Sequence, residues 1–113
     1  MFAALHNHSH FSLLDGVVSP EILAKQAARL DIPAIALTDH DAVYGAIPFA
    51  QACELVGINA IIGTEMTVAN LTPSAHHHLT LLAMNRAGYA LWRETLRATF
   101  AVKQFACRLH SIF

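Results

Sequence analysis

Charge is what this sequence has least of. Only 13% of its 113 residues are Asp, Glu, Lys or Arg, about half the share usual in a soluble domain. Neither sign prevails, and the formal net charge is −1 with the histidines neutral. No basic stripe is available, so strong nucleic-acid binding by these residues alone is not expected. Cysteine is equally scarce. Cys53 and Cys107 are too few for a disulfide framework and read as thiols of an intracellular, cytoplasmic protein. Long apolar runs are missing too. None reaches the roughly 20 residues of a membrane span, and the N-terminus has no basic segment leading into an extended apolar core. No membrane contact or signal peptide is expected.

Apolar residues are plentiful, at 55% of the chain. Strands buried on both faces would account for this, as would apolar surface that awaits a partner. The pattern along the chain supports strands alternating with helices. Phe2–Leu5 is a short apolar run. Ser19-Pro20-Glu21 has the form of a helix start, with a capping hydroxyl, proline at the first helical position and an acid in the first turn. Ile22, Leu23, Ala27 and Leu30 then recur at helical spacing. Ala34–Leu37 reads as a doubly buried strand. A second helix is predicted from about Gly45 to Val56, with Ile47, Ala50, Cys53 and Leu55 inward and Gly57 as its stop. Ala60–Ile62 reads as a third strand and Leu79–Met84 as a fourth. Asn70–Ala75 has the composition of a hairpin connection. A last helix is predicted from about Tyr89 to Gln104, with Tyr89, Trp92 and Phe100 as core residues. Such alternation is the signature of parallel β/α units.

Histidine is abundant, with eight residues. His6, His8 and His10 occupy alternate positions just after the first strand, where residues i and i+2 of an extended chain point the same way. His6 and His8 are thus able to face one ion, while His10 is expected to be exposed or outside the primary shell. Asp39 and His40 follow the second strand and Glu65 follows the third. In parallel β/α proteins the C-terminal strand ends form one rim, so three separate segments deliver metal-type ligands to one place. An unpaired carboxylate beside a buried strand would be costly, which favours Glu65 as a ligand. Asp15 is either the acid of an Asp-Gly turn or a ligand that returns to the rim. Asp39 is expected to orient His40 through hydrogen bonds rather than to bind metal. His78 opens the returning strand, which would carry it toward Glu65; His76 and His77 read as an exposed polar turn. A His, Asp and Glu set without thiolates suits Zn, Mn or Fe. Clustered carboxylates that bridge ions suit phosphoester hydrolysis.

The blocks LHNHSHFSLLDG, ALTDHDAVYGA, IIGTEM and HLTLLAMNRAGY, in this order and spacing, resemble the PHP domain (polymerase and histidinol phosphatase family). More narrowly they resemble its copy at the N-terminus of bacterial DNA polymerase III alpha subunits and their error-prone relatives. The resemblance runs from about Ala3 to Trp92. It implies an α/β fold, a PHP-type (β/α)7 TIM-like barrel with a cluster of up to two or three divalent ions at its C-terminal rim. His6, His8, Asp15, His40, Glu65 and His78 match the family's metal ligands, and Asp39 a supporting position. The family's later motifs, among them a final Asp-x-His pair, have no counterpart after His78. The expectation is therefore the first half of a barrel with a β-hairpin extension, residues 1–95 forming the N-terminal half of a PHP domain and residues 96–113 an unassigned, helical tail. The implied function is that of a metal-binding part of a replicative or error-prone polymerase in DNA replication. Its ancestral activity would be metal-dependent phosphoester hydrolysis, with 3′–5′ exonuclease action as the specific form, weak or absent in this part alone. Implied partners are the rest of the polymerase and DNA. An open barrel edge also predicts self-association. Two alternatives remain at this stage: a small phosphoesterase completed by dimerisation, and a non-catalytic interaction module.

Overall fold

A computed structural model describes residues 2–69 and 76–110. Seven elements follow one another: β1 (Ala3–Ala4), α1 (Pro20–Arg29), β2 (Ala34–Leu37), α2 (Ala46–Val56), β3 (Asn59–Ala69), β4 (His76–Leu82) and α3 (Arg86–His110). The strands form one sheet in the order β1-β2-β3-β4. The first three are parallel and β4 returns antiparallel to β3. The sheet curls into an α/β half-barrel, a partial TIM-like barrel. The chain divides between Ala83 and Met84 into two compact units. The first holds the sheet with α1 and α2, and the second is α3.

Local chemistry explains the helix limits. The Ser19 hydroxyl accepts a hydrogen bond from the Ile22 amide at 3.3 Å, and Pro20 opens α1. α2 has no side-chain cap at its start. It ends where Gly57 adopts φ 77° and donates its N–H to the carbonyls of Cys53 and Glu54; that left-handed backbone favours a residue without Cβ. α3 starts earlier than its periodicity predicts, because the Asn85 side chain caps it, its Oδ1 accepting from the Gly88 amide at 2.9 Å. It also continues to His110, beyond the predicted end near Gln104. Tyr89 and Trp92 meet edge to face, with ring centroids 5.1 Å apart.

Packing corrects part of the helical reading. The core of the first unit is built from Ala24, Ala27, Ile35, Leu37, Phe49, Ala52 and Cys53, with Leu23, Val56, Ala60 and Ile62 packed against it. Ile47 and Leu55, predicted inward, are 70% and 86% exposed. The inward stripe of α2 is Ala46, Phe49, Ala52 and Cys53, which keeps the i, i+3, i+4 spacing of one helix face. Ile22 and Leu30 of α1 are likewise exposed, and small Ala24 and Ala27 take the buried positions. Small residues there let α1 approach α2 and β2 closely.

Two strands also differ from the sequence reading. β3 is not the short Ala60–Ile62 run but continues through Glu65 to Ala69. β4 begins at His76, so His78 is its third residue rather than its first, and His76–His78 are strand rather than turn. The predicted hairpin connection, Asn70–Ala75, lies outside the described residues.

Phe49 is fully buried between these layers. Phe49→Ala is expected to lower stability by about 3–5 kcal/mol, read from the urea midpoint of unfolding; an unchanged midpoint would show that this layer does not hold the sheet and helices together.

Candidate metal centre

The site is assembled from the segments that follow β1 and β2 and from positions within β3 and β4. Beyond β1 the chain stays bonded to β2 and its continuation, and neighbouring residues take different tasks. Asn7 anchors: its amide donates to Thr38 Oγ1 at 3.0 Å, and its side chain donates to the carbonyls of Ala4 and Ala36 at 3.2 and 3.0 Å. Thr38 returns its hydroxyl and its amide to the Asn7 carbonyl, at 3.1 and 2.9 Å. With Asn7 tied to β2, its neighbours His6 and His8 are turned the other way, toward the rim.

The Ser9–Gly16 loop carries Asp15. Within it the Ser12 amide donates to the Ser9 carbonyl at 2.9 Å, and the Ser12 carbonyl accepts from Asp15 and Gly16 at 3.1 and 2.9 Å. A Cβ on Gly16 would lie 1.8 Å from the Ser9 carbonyl oxygen, so only glycine permits this closure. Leu14 is held at φ 67° and is fully exposed. The left-handed region costs a leucine about 1–2 kcal/mol, and the bonds around it sustain that conformation.

β2 delivers His40 by continuing past Leu37. His40 forms an isolated parallel bridge with Glu65 in the register of the β2–β3 pairing. The Glu65 amide donates to the Asp39 carbonyl at 3.0 Å, and the Asp41 amide to the Glu65 carbonyl at 2.9 Å. On β4, His78 pairs in register with Thr67, two residues beyond Glu65. Residues two apart share a strand face, and diagonal cross-strand neighbours are within reach of long side chains.

These placements bring all six predicted ligand residues together. Glu65 lies at the middle, with its side chain only 7% exposed. Its Oε2 faces Nε2 of His6 and, at 2.7 Å, Nε2 of His8; its Oε1 faces Nδ1 of His78 at 2.8 Å. Asp15 Oδ2 faces His8 Nδ1 at 2.5 Å and His40 Nε2 at 2.9 Å. The rings of His8 and His40 are 4.3 Å apart. Three overlapping groups result, His6–His8–Glu65, His8–Asp15–His40 and His40–Glu65–His78, each with its donor atoms within 4.8 Å of one another. His10 stands apart, its ring packed on Phe11.

The electrostatics suit a cation. Hydrogen bonds from His40 and then His8 hold the Asp15 carboxyl below its ordinary value. Burial pushes the Glu65 carboxyl up, but hydrogen bonds from His6 and His8 outweigh it and leave the group lowered. Both acids are therefore anionic at neutral pH, the state a metal ligand requires. His8 directs both ring nitrogens at carboxylate oxygens. A neutral imidazole has only one N–H, so two such contacts need either an imidazolium or a cation between the groups. Nitrogen and oxygen donors without sulfur fit Zn, Mn or Fe.

Asp39 meets the ligand segments through hydrogen bonds. It is 1% exposed. Its Oδ1 accepts from the Ser9 amide and the Ser12 hydroxyl, both at 2.7 Å, and its Oδ2 from the Ser9 hydroxyl at 2.8 Å. It thus holds the ligand loop, and reaches His40 only through Ser12 Oγ, which accepts from the His40 amide at 3.1 Å. Asn7, Ser9 and Ser12 were not singled out from the sequence. Their one signal there is position: each lies beside or between ligand residues.

Residues 4–97 match the model of the PHP domain. The chain belongs to the PHP domain family. It is 44% identical over 96 residues to the error-prone DNA polymerase of Mycolicibacterium paratuberculosis and 43% identical over 97 residues to the DNA polymerase III subunit alpha of Treponema pallidum. Each alignment covers 78% of this chain and 8% of the polymerase, so this PHP chain spans under a tenth of the length of those relatives. Among solved structures, a protein assigned as a metal-dependent phosphoesterase from Bifidobacterium adolescentis is similar with a TM-score of 0.65 and 27% identity, covering 82% of this chain and 32% of its own. An amidohydrolase from Chromobacterium violaceum, solved with sulfate and no metal, is similar with a TM-score of 0.70 and 31% identity over 85% of this chain and 32% of its own. The half-barrel of the PHP chain is therefore a fold shared with proteins of hydrolytic assignment.

Gly16→Ala is expected to cost about 1–3 kcal/mol, the usual range for a forced overpacking, and to free the loop. Thermal unfolding measures the first effect, and faster amide exchange at Asp15 and Gly16 than at β3 measures the second. A variant as stable and as protected as the parent would contradict the close approach at Ser9.

Proposed function

We propose that this chain is the metal-holding part of a PHP module in a DNA polymerase III alpha-type polymerase, replicative or error-prone, and that its ancestral reaction is metal-dependent phosphoester hydrolysis, in the form of 3′–5′ exonuclease action. His6, His8, Asp15, His40, Glu65 and His78 are the ligands, for a cluster of two or three ions. The single observation that carries this reading is the overlap of the three ligand groups, which share His8, His40 and Glu65. Of the three, Glu65 is the one able to serve two cations at once, because a carboxylate has two oxygens to offer where a neutral imidazole has one lone pair. Its relatives support the parent: both replicative and error-prone polymerases are found among them.

When bound, divalent ions acidify water and polarise a phosphoryl oxygen. The chain supplies the rest. Glu65, held inside the sheet, fixes the centre of the cluster. His6 and His78, about half exposed at their side chains, form the open side from which a phosphoester approaches. In this reading the partners are the remaining polymerase segments and DNA, in the cytoplasm. By itself the chain binds nucleic acid weakly, for want of cationic surface. No helix of the described residues is long and apolar enough to cross a membrane.

The reading also includes self-association. β1, two residues long, lies at one edge of the sheet, and Leu13, Leu14 and Val17 expose apolar side chains on the loop after it. An unpaired edge beside apolar surface is a pairing hazard.

The test is metal content. The chain loaded with Mn or Zn and then desalted is expected to retain at least one ion per molecule by elemental analysis, and Glu65→Gln to lose most of it, with any hydrolysis of a 3′-labelled single-stranded oligonucleotide falling in parallel. Equal metal in the parent and Glu65→Gln would remove the reading. Sedimentation at rising concentration checks the edge: association beyond the monomer is expected, and a monomer throughout would contradict that part.

A further inference from the structure

We infer that Ser12, anchored by Asp39, is a positioning residue that sets the spacing between Asp15 and His40, and so governs the metal position those two ligands share with His8. The inference rests on the metal reading above and extends it to a residue that binds no ion itself.

Ser12 is 1% exposed and uses all of its polar atoms on ligand-bearing segments. Its carbonyl accepts from the amides of Asp15 and Gly16. Its hydroxyl donates to Asp39 Oδ1 at 2.7 Å and accepts from the His40 amide at 3.1 Å. One residue therefore connects two ligands that are far apart in sequence, its main-chain carbonyl holding Asp15 on the loop after β1 and its hydroxyl holding the His40 amide beyond β2. The Asp39 carboxylate fixes that connection, since its other bonds, to the amide and hydroxyl of Ser9, hold the start of the same loop. Glu65 receives its place by another route, from backbone pairing with Asp39 and Asp41 and from the β3–β4 ladder. The site thus has two supports. Loss of the Ser12 hydroxyl loosens the Asp15–His40 side and leaves the Glu65 side held by the sheet. A buried hydroxyl that both donates and accepts is also hard to replace, because alanine abandons the His40 amide and one Asp39 lone pair together.

A double-mutant cycle tests this, with Co(II) titrated into the full chain and read by its visible absorption. Ser12→Ala alone is expected to weaken Co(II) binding by roughly 10- to 100-fold, the range for residues that support metal ligands from behind. In the Asp15→Ala chain, the same Ser12→Ala change is expected to add less than about threefold, because the Asp15–His40 spacing it sets no longer matters once one of the two ligands is gone. A purely structural role would give the same loss in both backgrounds, and that result, or no loss in either, would overturn the inference. Circular dichroism accompanies each titration. If Ser12→Ala does not fold, Asp39→Asn takes its place in the cycle. It keeps the Oδ1 acceptor for Ser12, and a smaller loss that again vanishes in the Asp15→Ala background is expected. A parent chain that binds no Co(II) would instead remove the metal reading itself, and this inference with it.

Discussion

A carboxylate buried in a sheet must be compensated, and Glu65 imposes that requirement on everything around it. It sits in β3 with its side chain almost wholly covered. An unpaired anion there would be expensive. The structure surrounds it with three imidazoles from two segments: His6 and His8 from beyond β1, and His78 from β4. His40 is brought alongside by pairing with Glu65 itself. The length of β3, the continuation of β2 and the return of β4 all place donors around one acid.

Three of the segments that carry a ligand set it beside an anchor. His6 and His8 flank Asn7, which binds β2. His40 follows Thr38 and Asp39, which bind the β1 extension and the ligand loop. Glu65 follows Thr64, whose hydroxyl donates to the Asp39 carbonyl at 3.0 Å. Ser9, Ser12, Thr38, Asp39 and Thr64 are all 1% exposed or less. They form a satisfied polar layer directly beneath the rim, the arrangement that makes a buried polar network stiff rather than costly. Low overall charge does not mean weak electrostatics here, because two of the chain's eight acids are concentrated at one mouth of the sheet.

Much of this was legible in the sequence, for specific reasons. The period-two histidines and the acid after each apolar run identify the rim because strand alternation and β/α order are local and strong signals. Ser19, Pro20 and Gly57 mark helix limits because capping is local as well. What was not legible depends on tertiary contact. The inward face of α2 is set by which residues meet the sheet and α1, so Phe49 and Ala52 displaced the equally apolar Ile47 and Leu55. The extension of β3 past Glu65 is driven by pairing with β4, which no count of apolar residues in Ala60–Ile62 reveals. Nothing in the sequence distinguishes Ser12, because its importance arises only when Asp39 and His40 arrive beside it from the next strand.

The central claim is that imidazoles and carboxylates from separate chain segments share a bound cation. X-ray absorption at the zinc edge of the Zn-loaded chain tests it most directly. The account predicts a shell of nitrogen and oxygen only, at about 2.0–2.2 Å, with outer-shell scattering from two or more imidazole rings. A sulfur shell near 2.3 Å, or an oxygen shell without imidazole scattering, would contradict it.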